Sequence, residues 1–230
     1  GTGKTRVAMA ITKVLIDAAE SNLLSRILQV DKHVLALSSG QGVSKLSAWD
    51  GWQMSASSVR VDPKQGSLRI PSDGRNSDRA FKDVDVDLPI TLESRARLIR
   101  GGRNYTLPWI NVFCGTVEGE GGRIDCGSSS QGLSSQWLIF LNTPAWPTTL
   151  SKVAGAAPSR GENSWVSIRA VIDKEKGSLY AKHDDESEFA LGAEQKWPAI
   201  ESHAKRIAVE QPWDADCEIE YVTISERIGK

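Results

Sequence analysis

The chain has 230 residues with 28 basic and 29 acidic side chains, a net charge of −1, and its length suits one large β-domain of roughly 200–250 residues. Such a balance creates no global field toward phosphate backbones or anionic lipid, which disfavours nucleic acid as a partner of the whole domain. No run approaches the ~18 apolar residues of a membrane helix and no basic-apolar-small signal pattern opens the chain, so no membrane partner is expected and the compartment stays open.

Residues 1–30 read as helix. Val7, Ile11, Val14, Leu15 and Ala18, then Leu23, Leu24, Ile27 and Leu28, recur at three- and four-residue steps, which sets them along one helical face. Ahead of it, Gly1-Thr2-Gly3-Lys4-Thr5 resembles the second half of a Walker A loop, and GTGKTRVAMAITKVLI is similar to the corresponding segment of DEAD/DEAH-type helicases and restriction-enzyme motor subunits. The resemblance implies backbone N–H groups around Gly3 cradling phosphate, Lys4 reaching the β- and γ-phosphates, and Thr5 holding magnesium. The first glycine of the motif has no counterpart in the chain. Asp184-Asp185-Glu186-Ser187 follows the polar Lys182-His183 and not the apolar run of a Walker B strand. The chain by itself is therefore not expected to be a working NTPase, and a fragment of a longer ATP-binding protein is kept as one functional alternative. Residues 1–33 are set apart as an N-terminal segment from a β-domain spanning 34–230.

After Asp31 the period changes to two, with turn residues between short β-rich runs. Val59 and Val61, the turn Asp62-Pro63-Lys64-Gln65-Gly66, then Leu68 and Ile70 predict a hairpin. Val84, Val86 and Leu88 alternate with Asp83, Asp85 and Asp87, as in a strand solvated on one side. Ile90, Leu92, Ala96 and Leu98 alternate with Glu93, Arg95 and Arg97 in the next strand. Further strands are predicted at Leu107–Cys114, Arg123–Cys126, Gln136–Asn142, Trp165–Asp173, Ser178–Lys182, Arg206–Glu210 and Cys217–Ser225, with a second hairpin turn at Asp173–Gly177. Pro144–Glu162, rich in Pro, Ala, Gly and Ser, reads as a long loop. About ten strands without alternating helices predict two packed antiparallel sheets.

The run SVRVDPKQGSLRIPSDGRNSDRAFKDVDVDLPITLESRARLI resembles the opening of a concanavalin A-like or laminin-G-like jelly roll, with Ile90-Thr91-Leu92-Glu93 as its apolar-Thr-apolar-Glu strand start. SWVSIRAVIDKEKGSLYAKHD and IAVEQPWDADCEIEYVTISE resemble the late hairpin and the closing strands of such domains. The expected fold is thus an all-β, two-sheet antiparallel jelly-roll sandwich preceded by an N-terminal α-helix. The resemblance implies a scaffold that binds glycans or proteins and in some branches cleaves polysaccharides. The glucanase branch uses a Glu-x-Asp-x-Glu strand. Asp216-Cys217-Glu218-Ile219-Glu220 approaches it with the acids exchanged, so a hydrolase or lyase using Glu218, Glu220 or Glu93 is an alternative to a non-catalytic, lectin-like carbohydrate-binding module.

Eight tryptophans stand against four phenylalanines and three tyrosines. Flat indoles are surfaces on which sugar rings stack, and Trp49, Trp52, Trp146, Trp197 and Trp213 fall in predicted loops. With Arg95 and Arg97 they form the expected glycan-binding set. Asp83-Val84-Asp85-Val86-Asp87 suggests calcium but fails the EF-hand test, because Leu88 stands where the loop glycine belongs. The expected cofactor set is therefore none, with calcium at Asp83, Asp85 and Asp87 as the weaker alternative. His33, His183 and His203 have no ligand spacing. Cys114, Cys126 and Cys217 read as three buried free thiols, with a Cys114–Cys126 hairpin disulfide as the alternative.

Overall fold

The period-two stretches of the sequence become strands because alternate side chains can then enter a core while their neighbours meet water. The computed structural model describes residues 43–45, 49–71, 78–100, 107–131, 134–142, 161–211 and 215–226. The chain divides into two compact units, Ser44–Arg227 and Gly1–Val43 with Ile228–Lys230; Val43 aside, the described residues belong to the former. The predicted N-terminal helix, with Gly3, Lys4 and Thr5, lies outside the described residues, as do His33, Trp146, Trp213 and most of the Pro144–Glu162 loop.

The strands are β1 (Val43–Lys45), β2 (Gln53–Met54), β3 (Arg60–Val61), β4 (Leu68–Ile70), β5 (Asp78–Asp87), β6 (Ile90–Arg100), β7 (Trp109–Cys114), β8 (Arg123–Gln131), β9 (Ser134–Asn142), β10 (Trp165–Ile172), β11 (Lys176–His183), β12 (Ala190–Lys196), β13 (His203–Gln211) and β14 (Asp216–Glu226). They form an eight-stranded sheet in the order β12-β11-β10-β6-β14-β4-β3, with β1 also on β14, and a six-stranded sheet in the order β2-β5-β13-β7-β8-β9. The fold is an all-β, two-sheet antiparallel sandwich, as the alternation predicts. Leu92, Ile168 and Ile224 from one sheet meet Ile110, Ile139 and Ile207 from the other in one core, each buried aliphatic side chain contributing roughly 1.5–3 kcal/mol.

Both predicted hairpins form. In the β3–β4 turn Asp62 Oδ1 accepts the backbone N–H groups of Lys64 and Gln65 at 2.8 and 3.1 Å, which hold its carboxyl below the ordinary carboxylate range. Gly66 takes the left-handed conformation (φ 68°) that closes the turn. β1, β2 and β12 were not expected as strands.

All three cysteines are buried free thiols. Ile110 faces Cys126 across β7–β8, whereas Cys114 bonds to Gly122. The two cysteines are thus four positions out of register, about 13 Å along the strands at roughly 3.3 Å per residue, beyond disulfide reach. Burial pushes the Cys114 thiol up to about 12, and it raises Cys126 and Cys217 as well.

Candidate functional site

The outer face of the eight-stranded sheet gathers five residues of the sequence-predicted sets. Alternation on β6 turns Glu93, Arg95 and Arg97 outward while Leu92, Ala96 and Leu98 enter the core. Register places Arg97 between Trp165 and Glu218, Arg95 between Ser167 and Tyr221, and Glu93 between Arg169 and Thr223. A bulge at Glu220 adds a second outward carboxylate to β14. These charges pair with one another. Arg97 reaches Glu218 Oε2 through Nε at 2.9 Å and Nη2 at 2.6 Å, and the Ser67 hydroxyl donates to Glu218 Oε1. Arg95 pairs with Glu220 and, at 2.8 Å, with Asp184; Arg169 pairs with Glu93 at 2.9 Å. Arg95 and Arg97 also lie over the Trp165 ring, 4.7 and 4.6 Å from its centroid. The Tyr221 hydroxyl donates to Glu93 at 3.2 Å, and burial, reinforced by that carboxylate, lifts the phenol above its ordinary range.

This arrangement is a ladder of satisfied ion pairs. Glu218, only 1 % exposed, has a donor on each oxygen, Ser67 on Oε1 and Arg97 on Oε2. Arg95 and Arg97 are each committed to acids and to Trp165.

The described loop tryptophans belong to the core, which corrects their expected role as open platforms. Trp49 and Trp52 are 5 % and 7 % exposed, their centroids 5.1 Å apart, and Trp49 Nε1 donates to the Gly66 carbonyl at 3.0 Å. Trp197, 5 % exposed, packs on Gly177, where a Cβ would come 2.3 Å from its ring. An indole with both faces packed offers no surface to a sugar. Asp83, Asp85 and Asp87 do not form a cation cage either: each faces its own basic side chain on β13, Arg206 at 2.6 Å, Lys205 at 2.6 Å and His203 Nδ1 at 2.7 Å. Among the described residues no group of three or more His, Cys, Asp or Glu side chains is placed to hold a metal ion.

The face of the six-stranded sheet turned away from the core holds a different assembly, in which Asn111, Phe113, Asp125 and Phe140 are buried. Ile110, Val112, Ile124, Cys126, Ile139 and Leu141 point into the core, so Trp109, Asn111, Phe113, Arg123, Asp125, Phe140 and Asn142 share the opposite face. One row across the strands reads Phe81, Ala208, Asn111, Asp125, Phe140, and the next reads Arg206, Phe113, Arg123, Asn142. Asp125, 0 % exposed, is their hub. It accepts from Asn111 Nδ2 at 2.6 Å, Arg123 Nη2 at 2.9 Å and Asn142 Nδ2 at 3.3 Å. Burial raises its carboxyl above the ordinary range against the pull of Arg123 and the three hydrogen bonds. Two polar atoms of the cluster, Asn111 Oδ1 and Arg123 Nε, are buried without a hydrogen-bond partner.

Trp109 borders the cluster. Its ring lies on Gly127, where any Cβ would come 2.3 Å from Cδ1; its Nε1 donates to the Ser128 carbonyl at 2.6 Å, and Phe140 meets it edge-on at 5.8 Å. The indole is fixed at three points and remains half-buried. The fixed aromatic face can stack on an apolar ring, and the Arg123 guanidinium and Asn142 amide, two rows further along the same face, can hydrogen-bond to hydroxyl groups. None of these residues belongs to the sequence-predicted set. The signal that could have found them is the alternation Trp109-Asn111-Phe113 against Ile110-Val112-Cys114, repeated by Arg123 and Asp125 around Ile124.

No family model matches the chain, and no curated protein matches it. Solved structures do. The carbohydrate-binding module CBM66 from Bacillus subtilis is similar at TM-score 0.54 and 15 % identity, over 76 % of this chain and 96 % of that one. A xylan β-1,4-xylosidase from Bacillus halodurans C-125 is similar at TM-score 0.56 and 11 % identity, over 80 % of this chain but only 39 % of the xylosidase. The calcium-bound exoplasmic/lumenal domain of VIP36 is similar at TM-score 0.53 and 9 % identity, over 78 % and 85 %. At such identities the likeness is one of fold.

Proposed function

We propose that this sandwich is a non-catalytic glycan-binding module whose ligand rests on the outer face of the six-stranded sheet, with Trp109 as stacking surface and Arg123 and Asn142 as hydrogen-bonding groups. The observation that carries the reading is the buried Asp125, which holds Arg123 and Asn142 in place on the same face as a tryptophan seated on a glycine, two rows along the strands. Supporting groups of this kind fix binding side chains before the ligand arrives, so less conformational freedom is lost on association. The similar structures from Bacillus subtilis and VIP36 are named as a carbohydrate-binding module and a domain also solved with mannose, which agrees with this choice. Catalysis is not part of the reading, because Glu93, Glu218 and Glu220 are each bound to arginine.

Affinity electrophoresis of the full chain through gels carrying neutral, acidic and amino polysaccharides tests the proposal. At least one should retard the protein, and EDTA should leave the retardation unchanged, since the proposed contacts involve no metal. Free migration through every polysaccharide would remove the proposal.

A further inference from the structure

The end of the eight-stranded sheet carries a second feature, distant in the fold from the Trp109 face and independent of the glycan reading. Register sets Arg60 on β3 directly opposite Arg69 on β4. Like charges directly opposite across a strand pair are destabilising, and a sheet tolerates them best when an anion lies between. The two arginines line a hollow of about 90 Å³ together with Ser58, Pro71, Ile99 and Asp216. That is small beside the roughly 300–1,000 Å³ of a small-molecule pocket, but it matches a few waters at roughly 30 Å³ each or one compact ion.

The acids around the hollow are taken. Asp216 pairs with Arg100 at 3.1 Å. Asp78 accepts the Ser58 hydroxyl at 3.0 Å. Glu218, opposite Arg69 in register, is held by Arg97 and Ser67. The charge of Arg69 is felt at Asp62, yet neither Arg60 nor Arg69 has an ion pair among the described residues, and Arg69 Nε is buried with no hydrogen-bond partner. Two guanidinium groups without a direct ion pair among the described residues, one of them with an unused buried donor, line one small space.

We infer that the Arg60–Arg69 hollow binds a tetrahedral oxyanion, the terminal group of a phosphorylated or sulfated ligand. A dianion balances both positive charges, and its oxygens suit the planar fork of arginine. A phosphate monoester, with about −1.5 to −2 charge at neutral pH, fits better than a singly charged carboxylate.

The test is titration of the full chain with sodium sulfate, sodium phosphate or sodium acetate against chloride at matched ionic strength, following the arginine Nε–H resonances by NMR. Sulfate and phosphate should give saturable shifts, with acetate weaker; comparing the first two arms separates a sulfated from a phosphorylated ligand. Arg60→Met and Arg69→Met should each lower the affinity by about tenfold or more, roughly the strength of one charge-assisted contact. Arg60 is exposed, so its variant should fold even if the other does not, and it should raise the thermal midpoint in chloride by relieving the repulsion. Shifts that chloride reproduces, or unchanged sulfate affinity in Arg60→Met, would overturn the inference.

Discussion

Glu218→Ala is expected to lower the free energy of unfolding by about 3–5 kcal/mol, the range seen when one member of a buried ion pair is removed. The carboxylate has both oxygens bonded, to Arg97 and Ser67, and its loss leaves a partly buried guanidinium and a buried hydroxyl without their acceptor. Glu220→Ala, two residues along the same strand, should cost only about 0–1 kcal/mol, because its pair with Arg95 is open to solvent. Urea unfolding of the two variants, with midpoints compared at constant slope, separates them. Equal, small losses would mean that the Arg97–Glu218 pair does not organise this face, and the case against a catalytic Glu218 would weaken with it.

The second large effect is expected at Asp125. Asp125→Ala leaves the Asn111 amide and the Arg123 guanidinium without their shared acceptor, and at roughly 1–3 kcal/mol for each orphaned group the variant should lose about 2–6 kcal/mol. It should also weaken glycan binding about tenfold or more, because Arg123 and Asn142 then lose their anchor. The pH dependence has a definite sign. Burial raises the folded-state pKa of Asp125 above its ordinary value of about 3.9, so the folded protein takes up this proton before the unfolded chain does. The contribution of Asp125 to stability is therefore most favourable below the unfolded pKa and declines as pH rises through the raised folded value. Asp125→Asn lacks that component, so the stability difference, wild type minus variant, should shrink as pH is raised from acid toward neutrality. A difference that grows with pH would contradict the assigned direction.

The strands that alternate cleanly are the ones the sequence reveals. β5 and β6 carry acids or arginines between aliphatic side chains, and both form with the expected faces. β12 is different: Ala190-Leu191-Gly192-Ala193-Glu194-Gln195-Lys196 is rich in residues that favour helix, and its strand state comes from pairing at the edge with β11, a tertiary effect that local composition does not carry. The tryptophans mislead for a related reason. A loop position suggests exposure, but whether an indole pins the loop to the core or faces solvent depends on what packs beneath it, and Trp49 and Trp52 pack against each other at a tilt inside. Of the expected glycan-binding residues, Arg95 and Arg97 do reach a surface, where acids and Trp165 occupy them. The Asp125 cluster needed the β7–β8 register, which sets Asn111 against Asp125, and the turn-rich residues 115–122 between those strands do not disclose that register in sequence.

The most direct measurement is calorimetric titration of a polysaccharide that retards the wild type into Trp109→Ala, Arg123→Ala and Arg95→Ala, each with an unchanged circular dichroism spectrum. The six-stranded face as the glycan site predicts that the first two lose affinity by about tenfold or more, about 1.4 kcal/mol, while Arg95→Ala stays close to wild type. Full affinity in Trp109→Ala and Arg123→Ala, with the loss confined to Arg95→Ala, would place the ligand on the opposite sheet and contradict this account.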